Sequence, residues 1–452
     1  MDLAALWTAA QPEIPAAGPC TLYIGASAVL SADLDLLDRF TVVFGPGAKV
    51  TVAAGVAWTI RGSVDLGSEA RFVMASGARV SLLGPLERIL PEWWDPSVDA
   101  DAALARAFEL AAQRIVEEAP QAPVELVGPY HLRRPLDLRS PTNGEVEYVV
   151  HGRHPRGDAA LRPTLAYASP SNADFPLVTL REGVRLLARR VAFDATSRRE
   201  PSKRRSRVPP AIEIPERSSG TTLERCTFFV EHGGAIGVGA SAVSTAAAPS
   251  VEHRRLSLRE CWFESFAANP ANVSMIAVAP GARVRLGVDG CTLRGAARAM
   301  VTMASGVCEV IGSDFENRSA ANADPGVDFE LGGAPGASSD TEGLMFSEIH
   351  TRSYSFRHLT GESASIASWS STICLTGVVH APRYGDLAAN LRPPAVTWSG
   401  FLENEILVQG CDIAGTLLAP RPNRVALLAT TLRGSPRVSP DDGRVVRPIA
   451  PR

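Results

Sequence analysis

The chain has 452 residues, of which 45% are hydrophobic and 21% are charged, and its formal net charge at pH 7 is −3. This composition excludes an intrinsically disordered chain, which would hold fewer apolar residues and carry more net charge. The near-neutral balance of charge favours no class of partner over another.

Residues 1–20 are rich in Pro and Ala and predict a loose lead-in segment. They begin with an acidic residue instead of the basic region of a signal peptide, and no apolar run approaches the roughly 18 residues of a membrane span. The sequence therefore predicts a cytoplasmic protein without a membrane partner. Export by a non-Sec route and association with a phage-like particle are the alternatives.

Residues 21–84 alternate apolar and polar positions in short runs that are separated by Gly-containing turns. This pattern is typical of short strands joined by tight corners. Residues 41–50 resemble residues 71–80 and, far downstream, residues 279–284. The same type of turn is therefore predicted in two regions of the chain. We assign residues 1–90 to an N-terminal β-rich block of short coils.

Residues 91–123 are predicted to be a linker followed by an amphipathic helix from about residue 100 to 118. Asp99 or Asp101 can cap its first turn, and two prolines end it. One helix in an otherwise β-rich chain is suited to closing the open end of a solenoid. The apolar residues that recur at helical spacing are Leu104, Phe108, Ala111 and Ile115.

Residues 124–440 carry a repeated pattern, which can be written apolar-x-x-Cys-x-apolar. Its clearest copies lie at 223–228, 258–263, 288–293 and 408–413, and Ser313 or Thr430 takes the Cys position in looser copies. Each copy predicts a strand, a bend and the start of the next strand. Recurrence at intervals of about 20–35 residues predicts a solenoid, with a flexible tail at 441–452.

The chain has seven cysteines, and none of them has CxxC spacing, so we expect neither a metal site nor a cofactor. Four of them share one register of the repeat, which predicts reduced thiols inside the solenoid. A disulfide ladder is the alternative and would need an oxidising compartment. Phe228, Phe263 and Phe315 share the next inward position and predict an internal aromatic stack.

The opening of the main body resembles a known superfamily in three places: Leu-Pro-Glu-Trp-Trp at 90–94, the Asp-led, Ala-rich start of the helix at 99–104, and Gly-Pro-Tyr at 128–130. This order is similar to that of the pectate-lyase-like superfamily, including its phage tailspike-like members. The resemblance implies an all-β fold, a right-handed parallel β-helix. It implies no chemistry, because the superfamily holds lyases, hydrolases, epimerases and inert scaffolds.

Residues 324–330 contain the string Gly-Val-Asp-Phe-Glu, which also occurs in bacterial members of that superfamily. In a strand Asp328 and Glu330 point to one side, so both face solvent if Phe329 lies in the core. We predict that these two carboxylates carry acid/base catalysis of glycoside hydrolysis. A solvated surface without a function and a bound cation are the alternatives, and a metal-dependent lyase is disfavoured because no column of aspartates is evident.

Other side chains are candidates for holding the substrate, because they flank this string, could stack on sugar rings, or lie in the basic loop at 197–210. They are Asp340, Glu342, His350, Tyr354, Trp369, Trp398, Arg204 and Arg205. The basic loop lacks interleaved aromatic residues, which disfavours a nucleic-acid partner.

Two hypotheses about function follow. The first is a carbohydrate-active protein that binds, and as a hydrolase cleaves, a polysaccharide along one face of the solenoid. The second is a non-catalytic scaffold or phage-like particle component that docks on a protein partner. The sequence leaves open whether the chain is an enzyme. Tailspike-like members are trimers, so the resemblance also implies a homotrimer, which no coiled-coil heptad supports.

Overall fold

The computed structural model is a parallel β-helix fold, with strands that pair in parallel from coil to coil. It describes residues 1–142, 144–153, 163–169, 175–196, 209–215, 220–239, 254–267, 273–279, 282, 284–303, 306–319, 327–331, 341–347, 350–351, 356–359, 372–377, 379–380, 396–399, 405–413, 417–418, 424–433 and 445–446. The chain divides into unit 1, Met1–Ala166 with Gly183–Val191, and unit 2, Tyr167–Glu182 with Ala192–Arg452.

The described helices are α1 (Leu3–Ala10), α2 (Ala100–Val116) and two 3₁₀ turns at Gln11–Glu13 and Pro91–Trp94. In chain order, the described strands are β1 Cys20–Ile24, β2 Ala28–Leu30, β3 Leu34–Leu36, β4 Phe40–Phe44, β5 Val50–Val52, β6 Ala57–Ile60, β7 Val64–Asp65, β8 Phe72–Met74, β9 Arg79–Leu82, β10 Val124–Leu126, β11 Pro129–Leu132, β12 Leu136–Leu138, β13 Val146–Gly152, β14 Thr164–Tyr167, β15 Val178–Leu180, β16 Val184–Arg189, β17 Ala192–Ala195, β18 Ile212–Ile214, β19 Gly220–Glu224, β20 Thr227–Val230, β21 Ile236–Val238, β22 Arg254–Arg259, β23 Trp262–Phe266, β24 Ser274–Val278, β25 Val284–Asp289, β26 Thr292–Ala296, β27 Ala299–Met303, β28 Gly306–Ile311, β29 Asp314–Asn317, β30 Val327–Leu331, β31 Thr341–Ser347, β32 His350–Thr351, β33 Phe356–Leu359, β34 Thr372–Thr376, β35 Val379–His380, β36 Val396–Ser399, β37 Glu405–Gln409, β38 Asp412–Ile413, β39 Leu417–Leu418, β40 Arg424–Leu428, β41 Thr431–Leu432 and β42 Val445–Val446.

The first part of unit 1 is a block of short coils with three parallel sheets, ordered β1-β4-β7, β2-β5-β8 and β3-β6-β9. The register pairs residues 20 to 24 apart, as in Cys20 with Phe40, Val50 with Phe72 and Leu34 with Trp58. Residues 41–50 and 71–80, which resemble each other in sequence, therefore occupy different corners of successive coils. The interior is aromatic: the Phe72 ring lies edge-on to Phe44 at 5.8 Å and to Trp58 at 6.1 Å between centroids.

Helix α1 covers the first coil of this block, so the prediction of a loose lead-in at 1–20 is wrong for residues 3–13, which are helical. Asp2 caps the helix by accepting a hydrogen bond from the backbone N–H of Ala4 at 3.0 Å. Leu3 is buried, and the Trp7 ring meets Phe40 edge-on with centroids 5.0 Å apart. The open end of the coil is apolar, and these two side chains remove it from water.

Helix α2 confirms the helix predicted at about 100–118. Asp99 is the cap and accepts from the N–H of Ala102 at 3.0 Å, whereas Asp101 accepts from the N–H of Arg133 at 3.1 Å. The guanidinium of Arg114, which is fully buried, donates to the carbonyl of Gly84 at 2.9 Å. Within unit 1, the helix thus ties the chain after β9 to the turn before β12.

Unit 2 contains the Cys-containing repeat, and its strands pair in the orders β19-β22-β25-β28-β31-β34-β37-β40-β42 and β17-β20-β23-β26-β29-β32-β35-β38-β41. Further sheets are ordered β15-β18-β21-β24-β27-β30 and β33-β36-β39. The predicted strand, bend and strand are confirmed, as in β19, Arg225 and β20. The predicted Phe stack is confirmed for Phe228 and Phe263, whose centroids lie 4.7 Å apart with 4° between planes. Phe315 belongs to the same column, but Leu293 lies between it and Phe263.

The bend places one residue of each copy in the left-handed backbone region. That residue directly precedes the Cys position, and it is glycine at Gly290 (φ 59°) and Gly410 (φ 61°). Glu260 (φ 50°) and Ala429 (φ 47°) adopt the same conformation with a side chain. An L-residue is strained there by about 1–2 kcal/mol, because its Cβ crowds the carbonyl that follows.

The Cys position itself, which we call the clamp position, is occupied by Cys226, Cys261, Cys291, Ser313, Cys411 and Thr430. The four cysteines are buried and free, which confirms reduced thiols inside the solenoid.

Clamp side chains join one coil to the next by hydrogen bonds. The N–H of Cys261 donates to Cys291 Sγ at 3.4 Å, and the N–H of Cys291 donates to Ser313 Oγ at 3.1 Å. In the other direction, Cys261 Sγ donates to the carbonyl of Leu223 at 3.3 Å. The clamp position therefore requires a small side chain that both donates and accepts, which cysteine, serine and threonine all provide.

We predict that Ser313→Ala lowers the free energy of unfolding by about 1–3 kcal/mol, because the buried N–H of Cys291 loses its acceptor. Ser313→Cys is the matched control and should stay within about 1 kcal/mol of the native chain, since a thiol accepts the same bond. Urea denaturation measures both values. Equal stability of the Ala and Cys variants would contradict the clamp.

The bend gives a second prediction. Ala429→Gly should raise the free energy of unfolding by about 0.5–1 kcal/mol, because relief of left-handed strain exceeds the entropy cost of glycine. Gly410→Ala, at the same place in the preceding coil, should lower it by about 1 kcal/mol. The two chains are compared by chemical denaturation, and a less stable Ala429→Gly variant would refute the assignment of strain.

Candidate functional site

Aromatic and charged side chains gather on the outer surface of one sheet of unit 2. On each strand the second residue after the clamp position points inward, as Phe263 does, so the first, third and fifth residues point outward. We call the outward side chains of β20, β23, β26 and β29 the aromatic face. Its principal members are Phe229, Trp262, Glu264, Phe266, Arg294 and Glu316.

Trp262 lies near the centre of the aromatic face and is half-buried. Its indole Nε1 donates to Glu264 Oε2 at 3.3 Å, and the guanidinium carbon of Arg294 lies 4.8 Å from the ring centroid. The carboxylate and the cation fix the ring against the sheet. Because both partners are neighbours in the pleated surface, the indole is held in one orientation before any ligand arrives.

Phe266 gives the face an exposed apolar element. It is 54% exposed, and its ring lies near parallel to Phe229, with centroids 6.2 Å apart and 29° between planes. Phe266, Trp262 and Glu264 all belong to β23, where they follow one another on the same side. Two aromatic rings therefore stand on either side of a carboxylate along one strand.

Glu316 lies on β29, the last of the four strands of the aromatic face. Its side chain is 11% exposed and lies 3.2 Å from Arg318 Nε and 3.8 Å from Arg294 Nε. Arg294 thus contacts both the indole of Trp262 and the carboxylate of Glu316. Rings, carboxylates and guanidinium groups in one patch can hold a ligand that offers apolar surfaces together with many hydroxyl groups.

Phe329 is fully buried and contacts the Phe315 ring at 4.9 Å, as expected for the strand predicted to hold the catalytic pair. The expected solvent exposure of Asp328 is wrong, because Asp328 is also 0% exposed. Both sides of this sheet are covered at this point, since Met275 and Met300, on the same side as Asp328, are buried as well. In this conformation Asp328 cannot touch a ligand on the surface.

The remaining predicted residues lie outside what the structure describes, in whole or in part. The strands of Glu330, Glu342, His350 and Trp398 are described, but their side chains lie outside the description. His350 pairs with Asp314, which places β32 beside the aromatic face. The residues wholly outside the described ranges are Asp340, Tyr354, Trp369, Arg204 and Arg205. The catalytic roles of Asp328 and Glu330 stay predictions.

The aromatic face is not among the sites predicted from the sequence, although the repeat carries a signal for it. Trp262 directly follows the clamp residue Cys261, and Glu264 and Phe266 follow at steps of two. Once the clamp residue is known to point inward, these three positions must point outward. The tryptophans predicted to hold the substrate, Trp369 and Trp398, are instead those nearest the acidic string in sequence.

A second cluster lies in unit 1, where Tyr130 Oη donates to Glu92 Oε1 at 2.5 Å. Burial raises the pKa of Glu92 above its ordinary value, an effect that the hydrogen bond from Tyr130 only partly offsets. Burial and the Glu92 charge also raise the pKa of Tyr130. Among the described residues, Glu92 Oε2 is buried without a hydrogen-bond partner. We interpret this pair as a structural contact between the Pro91–Trp94 turn and β11.

The shifted pKa of Glu92 gives a prediction with a definite sign. A carboxyl group whose folded pKa is raised favours the native state fully below its unfolded pKa and loses this contribution as the pH rises through the folded pKa. Glu92→Gln imitates the neutral form, so the variant should be more stable than the native chain at pH 7 and equally stable near pH 4. Urea denaturation at the two pH values tests this, and a destabilised variant at pH 7 would refute it.

Within the described ranges, no group of three or more His, Cys, Asp or Glu side chains is placed to hold a metal ion. Among the same residues, no helix has the length and the hydrophobicity that crossing a bilayer requires.

Comparisons with known proteins add no assignment to this picture. No protein-family model, no curated protein and no solved structure matches the chain.

Proposed function

We propose that the protein binds a polysaccharide along the aromatic face. The observation that carries the proposal is the line of Trp262, Glu264 and Phe266 on the outer side of β23. Aromatic rings cover the apolar faces of sugar rings, and a carboxylate between them accepts hydrogen bonds from hydroxyl groups. This interpretation keeps the polysaccharide expected from the sequence and moves its site from Asp328 to β23.

The dimensions of the face suit a chain-like ligand. Its four strands are stacked at intervals of about 4.8 Å, so the outward side chains extend over about 14 Å along the stack. Phe229, Glu264, Arg294 and Glu316 occupy one column in register along this direction. A ligand lying along the column would meet an aromatic ring, a carboxylate and a guanidinium group in turn.

Preorganisation also supports the proposal. The indole of Trp262 is fixed by Glu264 and Arg294, and the Phe266 ring is fixed by Phe229. Side chains already held in one rotamer lose little conformational entropy on binding, which lowers one of the costs of forming a complex. The resemblance to the pectate-lyase-like superfamily points to the same ligand class, but by analogy of fold alone.

The proposal predicts that Trp262→Ala and Phe266→Ala each weaken binding of a polysaccharide about tenfold, because each removes a stacking surface. A glycan array followed by isothermal titration of the best ligand measures this. Tyr23→Ala is the matched control, since Tyr23 is an aromatic residue of unit 1 with 62% exposure. Absence of binding to every glycan would favour the non-catalytic scaffold. Equal binding by all three variants would refute the aromatic face as the binding site.

A further inference from the structure

Unit 1 contains an open groove of about 1140 Å³ that is separate from the aromatic face. Helix α2 contributes residues between Asp101 and Val116 to the lining of the groove. Residues of β9, and residues of β12 with its adjoining turns, line the rest. At 1.5 Å per residue, the lining part of α2 is about 22 Å long. This length exceeds that of a compact small-molecule site and suits an extended chain.

The lining of the groove contains four arginines and three carboxylates, so it carries one net positive charge. Arg106 is paired with Glu109 at 3.1 Å, and a second ion pair joins Arg139 to Asp137 at 2.6 Å. Asp101 accepts the backbone N–H of the turn before β12.

Two arginines are left over after these pairs. Arg79 on β9 and Arg134 in the turn before β12 are exposed and form no ion pair among the described residues. The charge that complements the groove is therefore negative.

Apolar side chains line part of the groove, beside the polar groups of Arg106, Glu109 and Gln113. Ala105 and Ala112 are short side chains on α2, so a ligand can approach the helix closely. Val116 is 47% exposed, and Pro135 lies across the groove beside Arg134. An occupant should therefore combine negative charges with apolar side chains. A peptide offers this combination, whereas a purely polar anion leaves the apolar floor uncovered.

We propose that this groove binds an extended acidic peptide segment of a protein partner, with carboxylates at Arg79 and Arg134 and apolar side chains over Ala105 and Ala112. An eight-residue extended peptide is about 26 Å long, which spans the groove. The protein would then have two proposed sites, one on unit 1 for a protein partner and one on unit 2 for a polysaccharide.

The test uses the full chain and a fluorescein-labelled (Glu-Val)₄ peptide, with binding followed by fluorescence anisotropy. We expect the double variant Arg79→Gln/Arg134→Gln to weaken binding about tenfold, because two charge-assisted contacts are lost. Ala105→Trp should weaken it at least as much by filling the groove. Arg133→Gln is the matched control and should bind like the native chain, since Arg133 contacts α2 through its backbone N–H.

Two peptides separate the contributions of charge and apolar surface: (Lys-Val)₄ and (Glu-Gly)₄ should both bind at least tenfold more weakly than (Glu-Val)₄. The proposal is overturned if (Glu-Val)₄ does not bind, if Arg79→Gln/Arg134→Gln binds it normally, or if (Lys-Val)₄ binds equally well. Equal displacement by an acidic oligosaccharide would also overturn it, by assigning the groove to glycans. Trp262→Ala should leave peptide binding unchanged, so failure here is distinct from failure on the aromatic face.

Discussion

The hydrogen bonds at the clamp position are the constraint on which the rest of unit 2 depends. Each bend turns one backbone N–H into the interior, where an unpaired donor would cost about 1–3 kcal/mol. The side chain of the next coil supplies the acceptor, as Ser313 does for Cys291 and Thr430 does for Cys411. The same Thr430 hydroxyl donates to the carbonyl of Val408 at 3.1 Å. One small polar atom thus fixes both the position of a bend and the register of the coils on either side.

A fixed register determines what the outer surface can become. When every clamp residue points inward, the positions that follow it alternate, and equivalent positions of successive coils form columns about 4.8 Å apart. The inward column is filled by Phe193, Phe228 and Phe263, whose rings stack at 4.8 and 4.7 Å. The outward columns do not have to fill the core. They can therefore hold Trp262 and Arg294 in a surface arrangement that no core requirement explains.

The parts of the structure that could be predicted from the sequence are those set by local pattern. Helix α2, the clamp register and the Phe stack follow from spacing alone, since each repeats a periodic rule. Helix α1 escaped prediction because its two contacts, Leu3 with the interior and Trp7 with Phe40, are tertiary. The burial of Asp328 could not be predicted for the same reason. Alternation along a strand shows on which side of the sheet a side chain lies, but not whether another part of the chain covers that side.

The backbone hydrogen bonding that lets coils stack also explains why the stack of coils in unit 1 ends at a helix. Coils stack only while each backbone edge finds another strand, and β9 is the last strand of its sheet. Helix α2 replaces the missing strand by side-chain donors: Arg106 Nη1 reaches the carbonyl of Ala78 at 3.4 Å, and Arg114 reaches those of Leu82 and Gly84. In this way a helix supplies hydrogen-bond donors to the backbone carbonyls of a strand edge without filling the space that a full coil would occupy. The groove over α2 is therefore a geometric consequence of ending one stack of coils with a helix. Arg79 and Arg134, which form no ion pair with the described residues, are a separate feature of the groove, since the backbone edge of β9 does not require them.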